Sequence, residues 1–338
     1  MLYVVIAYLW LSLLLYLLFG GADFGAGILE LFTTKKNRVR TRKTTYRAIG
    51  PIWEANHMWL IIAIVIMFVG FPDIYTVMSL YLHIPLVIML LGIIARGTAF
   101  SFRHYDAIRD DMQTVYNRIF TWSSFITPLF LGIIAASTVS SAIDTHAHGF
   151  LDAYIFSWLR VFNITVGLFT ISICAFLAAV FLIGEADNDK DRTRFISKAK
   201  SSNMFAVISG AMVFLSARYE HIPLAVWIFG NAVSLCAIIA ALASLILFWY
   251  LLSKGKTKVL RILAGFQITM ILLAVTYPHF PKIILLKNGG YLSLTDESGE
   301  QKAIESLAIA LLVGSIFILP ALFYLIYSFK KPSEEQSL

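Results

Sequence analysis

The chain has 338 residues, 59% of them hydrophobic and 14% charged, with a mean hydropathy of +0.79 and a formal net charge of +7. Soluble domains carry about 25% charged residues, so a soluble enzyme is excluded, and the plentiful apolar surface excludes a disordered chain. The apolar runs are long and continuous, unlike the short alternating segments of a membrane β-barrel.

At about 20 apolar residues per crossing, the length holds roughly eight to ten membrane helices. Hydropathy predicts nine, at 2–31, 51–71, 75–99, 120–142, 160–184, 198–217, 224–252, 259–278 and 304–328. The fold class expected is therefore an all-α integral membrane protein, a single transmembrane domain over 1–338. The first run begins at Met1 with no basic stretch before it, and is expected to be a retained helix rather than a cleaved leader. The seventh is long for a perpendicular span and is expected to tilt or to extend past the bilayer.

The connections between these runs alternate in charge. Lys35 to Arg47 follows the first helix. Arg103, Arg109 and Arg118 follow the third, Lys190 to Lys200 the fifth, and Lys254, Lys256, Lys258 and Arg261 the seventh; Lys330 and Lys331 close the tail. The opposite side holds Arg160, Arg218, Lys282, Lys287 and Lys302. Basic residues concentrate in cytoplasmic loops, so the N-terminus is expected outside and the C-terminus in the cytoplasm. The net positive charge has this explanation and implies no nucleic-acid partner.

Trp122 and Trp249 near inner helix ends, and Trp158 and Trp227 near outer ones, read as interfacial aromatics. Pro85, Pro128 and Pro320 fall inside predicted helices and are expected to kink them. Asn163, Asn231 and Gln267 read as interhelical hydrogen-bonding groups. Cys174 and Cys236 lie in apolar runs and read as small hydrophobes. The stretch 279–303 is polar and is expected to form a small outer flap.

A carboxylate at membrane depth costs about 2.5–3.5 kcal/mol, so it asks for a reason. Asp23 sits in Gly20-Gly-Ala-Asp-Phe-Gly-Ala-Gly27, with Gly20, Asp23 and Gly27 on one helix face. Such a face admits a close neighbour, and the Asp either carries protons or ties the helix contact together. Glu54 sits in Gly50-Pro-Ile-Trp-Glu-Ala-Asn-His-Met-Trp59. It is either an ordinary acidic first turn or a relay partner of His57, which lies at i+3, with Asn56 beside them. Both carboxylates fall in the cytoplasmic third of consecutive helices, which suggests a proton intake from that side. Arg96, in Arg96-Gly-Thr-Ala-Phe-Ser-Phe-Arg103, either snorkels to the interface or pairs with Glu54, Asp23 or a haem propionate of a partner. His57 and His83 are the histidines inside predicted spans and form no obvious pair across the bilayer, so haem ligation by this chain is not expected. His146-x-His148 reads as a solvated loop. No nucleotide loop, nucleophile elbow or zinc motif occurs.

These three motifs, in this order and spacing, resemble subunit II of the cytochrome bd family of quinol oxidases. The specific motifs cover about the first 105 residues; beyond them the likeness is in hydropathy and in Gly184-Glu185-Ala186 closing the fifth helix. The resemblance implies a haem-free subunit of a complex that oxidises quinol and reduces dioxygen to water. It implies two four-helix bundles (1–142, with the motifs, and 160–278) plus a peripheral ninth helix at 304–328. The implied partners are a homologous subunit I carrying haems b and d and often a small single-helix subunit, with lipid and quinone around them, in a bacterial or archaeal cell membrane. No catalytic, cofactor-binding or metal-binding residue is implied in this chain. Protons would enter from the cytoplasm along the interface of the two large subunits. Asp23 and Glu54 fall on the family's acidic positions, and Trp53, Asn56 and His57 in the polar stretch around the second. Some members carry a third acid where this chain has Ser101, and Asp is common where it has Glu54. Proton transfer is thus expected of Asp23, Glu54 and His57, with Trp53, Asn56, Arg96 and Ser101 in support. Two other classes compete: a proton-coupled secondary transporter, disfavoured because the polar cluster lies near one interface rather than at the midplane, and a purely structural membrane subunit.

Overall fold

The computed structural model describes residues 1–50, 53–105, 112–186, 188–257 and 259–330. The expected contributions of Pro51, Arg109, Lys258 and Lys331 lie outside the described residues. Leu2–Leu15 and Gly21–Leu31 are joined by a π-helical turn, Tyr16–Gly20, into one span, α1, Leu2–Leu31. Then follow α2 (Lys35–Ile49), α3 (Trp53–Gly70), α4 (Pro72–Tyr81), α5 (His83–Tyr105), α6 (Met112–Val139), α7 (Phe150–Tyr154) and α8 (Val161–Ile183). The second half holds α9 (Asp189–Tyr219), α10 (Leu224–Phe229), α11 (Ala232–Ser253), α12 (Leu260–Thr276), a hairpin of β1 (Lys282–Leu285) and β2 (Tyr291–Ser293), and α13 (Gln301–Lys330).

Among the described residues eight helices are long and apolar enough to cross a membrane: α1, α3, α5, α6, α8, α11, α12 and α13. The predicted sixth span, 198–217, is not among the eight. It is the later part of α9, where the uncharged stretch is confined between Lys200 and Arg218. The preceding charged segment, expected to be a loop, is the start of the same helix: the Asn188 side chain caps it by accepting from the Asp191 N–H at 2.8 Å. The basic segment after the first span is likewise helical, as α2.

Two expected spans are broken. The third, predicted as 75–99, divides into α4 and α5 at Leu82. Pro85 has no N–H to give the Tyr81 carbonyl, so the helix restarts and Pro85 sits in the first turn of α5 instead of kinking its middle. The Ser157 hydroxyl donates to that Tyr81 carbonyl at 3.1 Å. Ser157→Ala is expected to cost about 1 kcal/mol, read as a lower thermal midpoint, because the carbonyl loses this donor. The seventh, predicted as 224–252, divides into α10 and α11. Asn231 is the cap of α11, accepting from the Val233 N–H at 2.9 Å, not an interhelical glue. Asn163 does play the interhelical part, donating to Ser137 Oγ at 3.0 Å. Trp158, read as an interfacial aromatic, is 9% exposed and belongs to the core.

Helices in lipid gain nothing by hiding apolar surface from one another, so close approach at small residues decides the packing. α8 is the hub. The later half of α1, α6, α9 and α12 all pack on it, with Ala175, Ala178 and Ala179 buried at the contact. A second core lies around the opposite end of α1, where Val5, Leu9, Ile66 and Phe71 meet the hairpin through Ile284 and Leu294. The expected polar flap is thus a folded element. Lys287 N–H donates to the Ile143 carbonyl at 2.9 Å, Gly299 N–H to that of Gly70 at 2.8 Å, and Lys287 Nζ lies 3.2 Å from Asp144 Oδ2.

Candidate functional site: two buried ion pairs between parallel helices

Asp23 lies one turn past the π-helical segment of α1 and is 1% exposed. Single π turns widen a helix locally and recur at functional sites. Here the turn sets the buried ring of Tyr16 against Gly20, where a Cβ would fall 2.9 Å from the ring. Arg96 of α5, also 1% exposed, answers Asp23 with both ends of its guanidinium. Nη1 donates to Oδ2 and Nη2 to Oδ1, each at 2.6 Å, and Nη2 also reaches the Asp23 carbonyl at 3.1 Å. Nε donates to Ser124 Oγ of α6 at 3.0 Å. Every nitrogen of this buried cation is therefore satisfied, which is the condition under which a desolvated pair is tolerable. Arg96 pairs with Asp23, one of the alternatives the sequence left open, and does not snorkel.

Seven residues further along both helices the arrangement repeats. Glu30, fully buried, receives Arg103 Nη2 on Oε2 at 2.8 Å, and Arg42 of α2 on Oε1 through Nε at 3.0 Å and Nη2 at 2.8 Å. Both pairs span the same 73 residues, so α1 and α5 run in the same direction with matched heptads of acid and arginine. The Phe120 ring of α6 lies between the two steps, 4.8 Å from the Arg96 guanidinium and 4.6 Å from that of Arg103. Sequence reasoning missed Glu30 because an acid at a helix end reads as an interfacial group. The signal was present all the same: acids at 23 and 30, arginines at 96 and 103.

The other expected residues divide between this cluster and the surface. His57 Nε2 stands 3.8 Å from Asp23 Oδ2, its ring among Tyr16, Phe24 and Trp53, and its Nδ1 is buried with no hydrogen-bond partner among the described residues. Asn56 is buried and lines a crevice together with Asp23. The Trp53 ring is tilted against Phe100, with centres 5.1 Å apart, and lies over Gly97, where a Cβ would meet its ring at 3.3 Å. Ser101 is half-buried. Glu54 is exposed. The two carboxylates expected to work together therefore occupy different environments: Asp23 is sealed in the bundle, while Glu54 stands on its surface within the first turn of α3.

The glycines around Asp23 admit two neighbours. A Cβ on Gly27 would fall 2.1 Å from Ser124 Oγ of α6, and one on Gly25 would fall 1.8 Å from the Cys174 carbonyl oxygen of α8. The close approach expected of this motif is thus present on two faces, and it seats the Asp23 carboxylate away from lipid.

His57 Nε2 is turned to the Asp23 carboxylate. The geometry can hold charge at a fixed depth and pass a proton across an imidazole.

Comparison with known proteins places these features in a family. The sequence profile described as cytochrome bd terminal oxidase subunit II matches residues 1–329. The cytochrome bd ubiquinol oxidase subunit 2 of Bacillus subtilis is 29% identical over 173 residues, 50% of each chain. The cytochrome bd-I ubiquinol oxidase subunit 2 of Escherichia coli K12 is 22% identical over 192 residues, 53% of this chain and 49% of that one. The chain thus spans about half the length of the curated relatives it matches. A chain in the structure of the bd oxidase from Geobacillus thermodenitrificans superposes with a TM-score of 0.77 at 19% identity, covering 97% of this chain and 98% of the other, so the two share a fold.

Proposed function

The chain belongs to the cytochrome bd terminal oxidase subunit II family, and on that footing we propose that it serves as the haem-free subunit of a quinol:oxygen oxidoreductase that reduces dioxygen to water. It packs beside a haem-bearing subunit I, with haems b and d there and quinol as the complex's substrate, and a small single-helix subunit joins them. Its arrangement is two four-helix bundles with a peripheral ninth helix, α9 supplying the span between Lys200 and Arg218. The N-terminus lies outside and the basic ends of the helices face the cytoplasm of a bacterial or archaeal cell.

Within that complex the chain helps bring protons from the cytoplasm to the oxygen chemistry. The observation that carries this reading is His57. A half-buried imidazole with Nε2 at 3.8 Å from a buried carboxylate, and with Nδ1 unpartnered among the described residues, is a relay open at one end. A proton taken on Nε2 leaves from Nδ1, and the group that accepts it belongs to the neighbour. Asp23, clamped by Arg96, fixes a carboxylate oxygen 3.8 Å from His57 Nε2 and so orients the imidazole. Glu54, exposed on the same helix as His57, meets the subunit interface instead of the Asp23 cluster. Trp53 walls the imidazole, Asn56 lines the crevice beside Asp23, and Ser101 stands where a third acid occurs in some relatives.

In the assembled oxidase, His57→Gln and Glu54→Gln are each expected to leave the haem spectrum intact and to slow quinol-driven oxygen consumption by about tenfold. Normal turnover in both variants would leave the structural-subunit reading standing.

A further inference from the structure

The relay needs a supply, and a crevice adjoins it. Ala22 of α1 and Ala48 of α2 form part of its wall, Asp23 and Asn56 stand on it, and Glu185 and Arg261 close another part. Its volume of about 60 Å³ holds about two to four waters, and Asp23, Asn56, Glu185 and Arg261 give such waters partners in a wall that is otherwise apolar. Depth follows from the helix contact. Gly25 is level with Cys174 and Ala178 of α8, where its Cβ would fall within 2.7 Å of both residues. Glu185 lies seven residues beyond Ala178, about 10 Å further along the axis. The two carboxylates thus stand at different depths of one crevice.

The outer of these two positions is built. α8 ends at Gly184, and a Cβ there would strike Arg261 Nη2 at 2.4 Å. Because this residue is glycine, Arg261 of α12 lies across the end of α8. Its Nη2 donates to the Phe181 carbonyl at 2.6 Å and to Glu185 Oε1 at 2.8 Å. A cation is well placed on the carbonyl end of a helix, and here it also pins the acid. The Glu185 side chain is 36% exposed and that of Arg261 30%, so both groups reach solvent and crevice together.

We propose that Glu185, held by Arg261, is the proton-uptake group of this chain, and that the crevice between α1, α2 and α8 conducts protons along its waters from Glu185 to Asp23, whose carboxylate stands 3.8 Å from His57 Nε2. This rests on the proton-feeding reading above. A proton passes from bulk water to the Glu185 carboxylate, along the waters to the Asp23 carboxylate, and from there onto His57 Nε2. The proton on Nδ1 departs to the neighbour, and no electron moves. Arg261 is a positioning residue.

The test uses the complete oxidase. Glu185→Gln removes the acid, and Ala48→Leu fills the crevice without touching any charge. Both are expected to lower turnover by about tenfold with the haem spectrum and the KM for quinol unchanged. Both are also expected to raise the solvent hydrogen/deuterium isotope effect, which a merely structural lesion would not do. Glu185→Asp is expected to restore most of the rate. Normal turnover in Glu185→Gln and Ala48→Leu beside a slow His57→Gln would overturn this route and leave the relay standing. Normal turnover in all three would remove the proton-feeding reading itself. A Glu185→Gln oxidase that loses assembly, with Ala48→Leu at full rate, would make Glu185 a structural cap and likewise overturn the route.

Discussion

Asp23→Asn is expected to destabilise the subunit by about 3–5 kcal/mol, because it leaves the Arg96 charge buried without its counterion. The guanidinium is 1% exposed and makes three of its four hydrogen bonds to Asp23. An asparagine can accept on one oxygen only, and its amide nitrogen would face a donor. The expected result is a large fall in assembled oxidase and in its thermal midpoint. The double variant Asp23→Asn with Arg96→Gln removes both charges, so no buried ion is left without its counterion. Stability is therefore expected to return in the double variant while oxygen consumption stays low, which separates the structural part of Asp23 from its part in proton supply. Wild-type stability in Asp23→Asn alone would mean that Arg96 finds another partner and that the ladder is not what holds α1 to α5.

Gly25→Val is expected to abolish assembly. The added Cβ would stand 1.8 Å from the Cys174 carbonyl oxygen and 2.4 Å from its carbon, so α8 itself would have to move. Overpacking against side chains costs about 1–3 kcal/mol, and a backbone obstacle relaxes less than a side chain does, so the cost is set at or above about 3 kcal/mol. Gly21 is the control. A Cβ there meets Cys174 Sγ and Leu177 Cδ1 at 3.4 Å, an ordinary contact. Gly21→Ala is expected to assemble normally. Equal yields of the two variants, measured by co-purification with the haem-bearing partner, would sink the argument that backbone approach at position 25 seats Asp23.

Membrane architecture was legible in the sequence because its causes are local. A run of about 20 apolar residues is a span wherever it packs, and basic residues mark helix ends whatever the helices touch. The motif around Asp23 announced a close helix contact for the same reason: glycines within a span leave room for a neighbour. Where local reading failed, another cap or a distant partner had won. Pro85 stopped a helix instead of bending it, because the Tyr81 carbonyl it frees found Ser157, 76 residues away. Asn231 capped a helix because Gly230 precedes it, and the single long seventh span became two helices.

The site was legible only in its parts. Residue types and their place in apolar runs by themselves determined that Asp23, Glu54, His57 and Arg96 deserved reasons, but an acid and a base 73 residues apart become partners only when two helices run alongside. Tertiary structure alone decided that Arg96 takes Asp23, that Arg103 takes Glu30 across the same spacing, and that Glu54 remains exposed. The physical reason is reach. Hydropathy and capping act over a few residues of one chain segment, whereas the burial of a charge is set by whichever helices close around it.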